Sequence, residues 1–232
     1  MIIEAPAFPF TLVAHALAVV SAILVLIWCL AFRGGFAWTS NNTNLIFNLH
    51  PFLMLVGFII IGGQAAISYR SLPFPKDKKK LIHMILHGIA LVLGIVGVCA
   101  VFKYHNESGI SNLYSLHSWI GITVISLYGI QWLFGLYTFF YPGGSPSLRT
   151  AALPWHVLLG IMIYVLAIAT SLLGFLEKLT FLENSGLAKY GSEALLVNFT
   201  AVFTLLYGVF IALSIAGQGP RSPEDDSAYS PI

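Results

Sequence analysis

Six apolar runs set the pattern of this chain, at roughly 12–32, 44–69, 81–102, 115–141, 153–176 and 194–216. Periodicity alone does not separate a membrane-spanning run from a helix buried in a large core, but length does. Each run is close to the ~20 residues that cross a bilayer core, so each predicts one transmembrane helix. Between them lie polar breaks: Arg33-Gly34-Gly35, a loop from Arg70 to Lys80 containing Pro73 and Pro75, a loop from Lys103 to Asn112, the turn Tyr141-Pro142-Gly143-Gly144-Ser145-Pro146, and an irregular stretch from about Glu177-Lys178 to Glu193. No basic flank precedes the first run and no small-residue cleavage site accompanies it, which predicts a retained helix and not a signal peptide. The expected architecture is an all-α integral membrane domain over 1–216. A short disordered tail, 217–232, follows; its Pro, Ser and Glu224-Asp225-Asp226 leave little to bury.

Composition supports the same class: 58% of residues are hydrophobic and 9% charged, against roughly 25% charged in soluble domains. A net charge of +2 is too small to suggest a nucleic-acid partner. Six crossings put both termini on one face, and loop charges orient the molecule. Arg70, Lys76, Lys78, Lys79, Lys80, Arg149 and Arg221 fall on the face of the termini, whereas Arg33, Lys103, Lys178 and Lys189 fall on the other. The basic excess predicts cytosolic termini. The acceptor triplets Asn41-Asn42-Thr43 and Asn106-Glu107-Ser108 fall on the opposite face. Cys29 and Cys99 lie inside apolar runs and read as small packing residues more than as a disulfide.

Histidines change the picture. His50, His83, His117 and His156 each stand early in their own apolar run, and an ionisable residue at that depth is a functional candidate. Helices two and four enter from the non-cytosolic side, helices three and five from the other. His50 therefore matches His117 in depth, and His83 matches His156. Facing imidazoles at equal depth in a four-helix bundle are what a haem with both axial positions filled requires. Such an iron has no open position, and its natural work is to pass single electrons. The pattern thus predicts two b-type haems, one per leaflet, held by helices two to five. His87, one turn from His83 on the same face, is an alternative ligand; depth matching with His156 favours His83. His15 in the first helix reads as an interfacial residue. A zinc or iron hydrolase is disfavoured, because Met84-Ile85-Leu86 lacks the glutamate of a zinc-protease helix and no acidic residue lies within the runs.

Glycines follow two of the histidines by four residues, at Gly121 and Gly160, suited either to a flat macrocycle or to close helix packing. The lysines before His83 suit an anionic ligand or simply the lipid surface. His105 stands outside the membrane, open to solutes. Two rival readings remain. A quinol-linked haem b subunit is opposed by the lysine-rich loop. A histidine-lined metal or proton transporter is opposed by a bilayer middle that offers no polar stepping stones.

At this level the chain resembles the cytochrome b561 family of ascorbate-dependent dihaem transmembrane reductases, and most of all its plant vacuolar-membrane members. The resemblance is carried by Lys80-Leu81-Ile82-His83-Met84-Ile85-Leu86-His87, Ala100-Val101-Phe102, Asn112-Leu113-Tyr114-Ser115-Leu116-His117-Ser118-Trp119, Ser147-Leu148-Arg149 and Gly174-Phe175-Leu176-Glu177-Lys178-Leu179. It implies electron transfer from cytosolic ascorbate, through a His83/His156 haem and a His50/His117 haem, to monodehydroascorbate or a ferric chelate on the far side. It further implies that Arg70, Lys76, Lys80 and Arg149 hold ascorbate and haem propionates, and that Asn112, Leu113, Tyr114, Ser115 and Glu177 contact the second haem. His105 would sit at the acceptor site. A homodimer in a vacuolar or other endomembrane is implied as well.

Overall fold

The computed structural model describes residues 6–217, so the tail expectation for 218–232 lies outside the described residues. Six helices are long and apolar enough to cross a membrane: α1 (Ala7–Phe32), α2 (Asn44–Tyr69), α3 (Lys76–Ser108), α4 (Leu116–Phe140), α5 (Pro146–Asn184) and α6 (Ser192–Ala216). Helices α2 to α5 close a four-helix ring, each packing on the next and α5 returning to α2. α1 and α6 pack on each other and cover the α2 and α5 side of the ring from outside. This is the expected all-α membrane architecture with two flanking helices.

Helix boundaries differ from the expectation in an instructive way. α3 has 33 residues and α5 has 39, which at 1.5 Å per residue gives about 50 and 58 Å, well beyond a ~30 Å hydrocarbon core. Apolar length measures the membrane, not the helix. The stretch after Glu177, read as irregular, stays helical to Asn184 and breaks only near Gly186, which has φ 99°. Likewise Lys103 to Ser108 continue α3 until Gly109, whose left-handed φ of 67° lets Ile110 N–H bond the His105 carbonyl. The expected loop before His83 shrinks to the residues around Pro73, and Lys76 to Lys80 form the opening turns of α3 behind Pro75.

Other ends are set by local chemistry. Ser115 and Ser118 form a reciprocal capping box at the start of α4. Ser145 caps α5 ahead of Pro146, which needs no N–H partner there. At the opposite end of α1, Glu193 accepts Trp28 Nε1–H at 2.9 Å and pairs with Arg33, tying α1 to the first turn of α6. Cys29 and Cys99 are both free thiols; Cys29 is buried, as the packing reading expects, whereas Cys99 is exposed.

The middle of the bundle corrects one expectation. It is not without polar groups. From Leu53 to Ile60, α2 widens into a π-helical stretch, a geometry that disturbs the carbonyl ladder. Tyr207 Oη donates to the Ile60 carbonyl at 2.8 Å, Tyr164 Oη to the Ile59 carbonyl at 3.4 Å, and Gln64 Nε2 to Tyr207 Oη at 3.2 Å. Gly63 makes this possible, since a Cβ there would stand 2.5 Å from both tyrosine oxygens. Tyrosine counts as apolar in a run of large side chains, which is why the layer was hidden. Gly63→Ala should therefore cost about 1–3 kcal/mol by overpacking, read as a lower melting temperature in detergent. In a Tyr164→Phe/Tyr207→Phe background the same methyl should cost much less, and equal losses in the two backgrounds would show that the hydroxyls do not define the space.

Candidate functional site

The four histidines meet two by two. His50 and His117 have ring centroids 6.1 Å apart, and His83 and His156 have theirs 6.3 Å apart. An imidazole–metal bond of about 2 Å plus roughly 1.2 Å from ring nitrogen to ring centre, taken on both sides of one iron, gives about 6.4 Å. Both separations therefore fit two imidazoles clamping one metal.

Ring orientation fits as well. His50 Nδ1 lies 3.0 Å from the Gly97 carbonyl, His83 Nδ1 2.9 Å from the Ala65 carbonyl, and His117 Nδ1 2.9 Å from the Thr170 carbonyl. A carbonyl only accepts, so each Nδ1 carries the proton and each Nε2 is left bare, the tautomer that ligates a metal. His156 Nδ1 is met instead by the Gln131 amide at 3.0 Å.

Two glycines seat the rings. A Cβ at Gly174 would lie 2.7 Å from His117 Cε1, and one at Gly135 would lie 3.1 Å from His156 Cε1. Each imidazole of α4 or α5 thus rests on a glycine of the other helix. Gly121 and Gly160, open in the sequence to a macrocycle or to the commoner helix packing, meet Thr170 Cγ2 at 3.5 Å and Gln131 Nε2 at 3.7 Å, which is the packing reading. Gly57, seven residues beyond His50, packs on Leu93 of α3, the same helix whose Gly97 carbonyl meets the His50 ring. Asn48 was missed altogether. Its fully buried amide donates to the Arg33 and Gly35 carbonyls at 3.1 and 2.7 Å, anchoring the start of α2 just before His50.

His87 is placed differently. Its ring is 4.4 Å from that of His83, too close for an iron between them, and its Nδ1 is hydrogen-bonded to Tyr128 Oη at 2.5 Å. His83 has the 6.3 Å ring separation from His156 that a shared iron needs, while the His87 ring is bonded to Tyr128.

At the lysine-rich end, Lys80 Nζ lies 5.7 Å above the Phe140 ring, and Arg149 Nε donates to the Gly144 carbonyl at 2.7 Å. Both cations rest on the α4–α5 turn, and among the described residues neither has a carboxylate within ion-pair distance. Lys76 is half-buried at the start of α3. The helical backbone of α2 continues past Tyr69 through Arg70 to Ser71, and the Arg70 side chain lies outside the described residues.

At the other end, His105 Nδ1 meets Asn112 Oδ1 at 3.2 Å, while Asn112 Nδ2 donates to Asn106 Oδ1 at 2.9 Å. His105 therefore sits on the last turn of α3, steadied by the loop that leads to α4. Leu113 takes a left-handed φ of 54°, an uncommon conformation outside glycine, and it lets Asn112 reach back while Ser115 opens α4. Tyr114 lies 6.3 Å from the His105 ring, and burial, with the charge of Glu177 and then Tyr104, raises its phenol above the usual range. Lys103 is paired with Glu107 at this end.

An all-helical membrane domain with two imidazole clamps at opposite depths has the frame of a membrane cytochrome of the b type. The family model "Eukaryotic cytochrome b561" matches residues 49–182, which span the four-helix ring. The chain is 62% identical to "Transmembrane ascorbate ferrireductase 1" of Arabidopsis thaliana over 94% of its own length and 91% of the relative's. It is 59% identical to "Probable ascorbate-specific transmembrane electron transporter 2" of Oryza sativa subsp. japonica, covering 97% and 95%. It is also 41% identical to a "Transmembrane ascorbate-dependent reductase" of Sus scrofa, covering 79% and 72%. The chain belongs to the eukaryotic cytochrome b561 family, and it is a multi-pass membrane oxidoreductase for which the family implies haem b.

If the glycines are seats for the ligands, adding one methyl should be selective. Gly174→Ala should reduce haem at the His50/His117 clamp, and Gly135→Ala at the His83/His156 clamp, each leaving the other clamp loaded. Haem stoichiometry and reductive titration of the purified variants would measure this. Full loading of both clamps in both variants would remove the seats from the argument.

Proposed function

We propose that the protein takes single electrons from ascorbate at its lysine-rich face, which is the cytosolic one, and delivers them at its His105 face to monodehydroascorbate or a ferric chelate. The observation that carries this reading is the pair of imidazole clamps, 6.1 and 6.3 Å across, at opposite ends of one bundle. Two haems b, one in each clamp, supply one-electron chemistry between the leaflets. The relatives whose names state ascorbate-dependent reduction or electron transport support the donor. By the same reading both termini are cytosolic, the membrane is vacuolar or another endomembrane, and two copies pair as a homodimer.

The residues of this chain do the rest. Ascorbate is a monoanion at neutral pH, and a cationic rim raises its local concentration. Lys80 and Arg149 provide that rim together with Arg70 and Lys76, and the same cations and hydrogen-bond donors suit haem propionates at the membrane surface. Ascorbate loses one electron and one proton and leaves as monodehydroascorbate, with no covalent intermediate. At the far face Asn112, Leu113, Tyr114, Ser115 and Glu177 line the His50/His117 side, and His105 meets the acceptor.

A reduced-minus-oxidised spectrum of the purified protein tests the core of the reading. Two low-spin bis-histidine haems are expected after dithionite, and their absence would end it. Replacing Lys80 by alanine should slow reduction by ascorbate severalfold while dithionite reduction and haem content stay unchanged. His105→Ala should leave the ascorbate half-reaction intact and slow reoxidation by the acceptor, measured by stopped flow from each side. An unchanged ascorbate rate would remove Lys80 from the donor site, and an unchanged reoxidation rate would remove His105 from the acceptor site.

A further inference from the structure

The ties on the histidine rings follow an internal rule. Ala65 lies fifteen residues beyond His50 on α2, Gly97 fourteen beyond His83 on α3, and Thr170 fourteen beyond His156 on α5; each offers its carbonyl to the histidine of the neighbouring helix. The rule places the fourth acceptor fourteen residues beyond His117, at residue 131. His156 does reach residue 131, but it meets the side chain there and not the backbone. The Gln131 amide lies 3.0 Å from His156 Nδ1 and 2.7 Å from the His156 carbonyl oxygen.

We propose that Gln131 is a positioning residue for the His156 imidazole, and that it makes the reduction potential of the haem in that clamp adjustable through one side chain. The inference rests on the dihaem reading above. A neutral imidazole ligates through Nε2 only when Nδ1 carries the proton, and that buried N–H needs an acceptor. The Gln131 amide holds one, Oε1, on the same planar group as Nε2. Because Nε2 also donates to the His156 carbonyl at 2.7 Å, a full half-turn would set Oε1 against that oxygen, whereas a smaller turn of the planar amide keeps this bond and brings Oε1 toward Nδ1. With Nε2 toward the ring, the amide serves the tautomer whose Nδ1 is bare; with Oε1 toward the ring, it serves the tautomer that ligates. An accepted N–H bond makes the ring more basic, and a more basic axial ligand favours the ferric over the ferrous state. At the other three ligands the acceptor is a peptide carbonyl that no substitution deletes. At His156 a single substitution deletes it.

Reductive titration of the purified holoprotein, followed by visible absorbance and by the low-spin electron paramagnetic resonance signals, tests this. Loss of one wave in His156→Ala assigns the waves. In Gln131→Leu the wave of the His83/His156 haem should move to more positive potential by about tenfold in the ferrous-to-ferric ratio, or 59 mV for a one-electron couple. The other wave should stay. Gln131→Glu keeps an acceptor of the same reach and should hold the wave at or below its wild-type position. Wild-type waves in both variants would overturn the proposal, and so would equal positive shifts in both, since those report packing and not an acceptor. Should Gln131→Leu bind no haem in that clamp, Gln131→Glu decides alone: a wave at or below wild type supports the proposal and a positive shift overturns it. A wild-type protein without two low-spin waves would instead overturn the dihaem reading, and this inference with it.

Discussion

The bond from a histidine Nδ1 to an acceptor on the facing helix is the constraint on which the rest of the structure depends. Each such bond contributes only about 0.5–1.5 kcal/mol net, little beside the packing of six helices. Its importance is geometric. It fixes the tautomer, turns the ring so that Nε2 points into the bundle, and locks the two helices in register. His50 and His83 tie α2 to α3 in both directions, through Gly97 and Ala65. His117 ties α4 to α5 through the Thr170 carbonyl, and Gln131 Nε2 ties them back by meeting His156 Nδ1 at 3.0 Å and donating to the His156 carbonyl at 2.7 Å. A slip of one residue along either pair would break both of its bonds together.

The same reciprocity governs the space around the rings. Gly135 stands eighteen residues beyond His117 on α4, and Gly174 eighteen beyond His156 on α5; each accepts the other helix's imidazole. Five turns of helix bring residue i+18 back to the same face, so ring and seat lie on one stripe at opposite ends of an antiparallel pair. Two clamps at opposite depths follow from one packing rule applied twice. The ends then diverge in charge: Lys80 and Arg149 gather on the α4–α5 turn, whereas Lys103 is paired with Glu107 at the other face. The lysine-rich end is thus the one at which Lys80 and Arg149, among the described residues, have no carboxylate within ion-pair distance.

How much of this could be read from the residues depends on the distance over which the information acts. Six runs, four histidines and their pairing by depth were legible, because apolar length and a charge-bearing side chain inside it are local signals. The helix ends after Lys103 and Glu177 were not, because a helix continues past the membrane until a glycine with positive φ stops it. Gly135, Gly174 and Gln131 were not legible either. Their meaning comes from the facing helix, and a spacing of fourteen or eighteen residues becomes a pattern only when two antiparallel helices are set side by side. Asn48 was hidden for a similar reason, since its partners Arg33 and Gly35 lie in the preceding loop.

The polar layer between the clamps decides between an electron conduit and a transporter, and it does so against first appearance. Polar groups in a bilayer middle ordinarily mark a path for ions. Here the tyrosine donors are spent on the backbone: Tyr207 and Tyr164 bond the Ile60 and Ile59 carbonyls that the π-helical stretch of α2 presents, and both fill the space left by Gly63. Tyr128 is bonded to His87 and packed on Phe58 with ring centroids 4.7 Å apart. A proton or metal path needs groups that exchange partners, and these hydroxyls instead complete a buried, packed wall. Electrons tunnel through such packing while ions do not cross it, so the layer suits electron transfer between the two clamps better than an ion path.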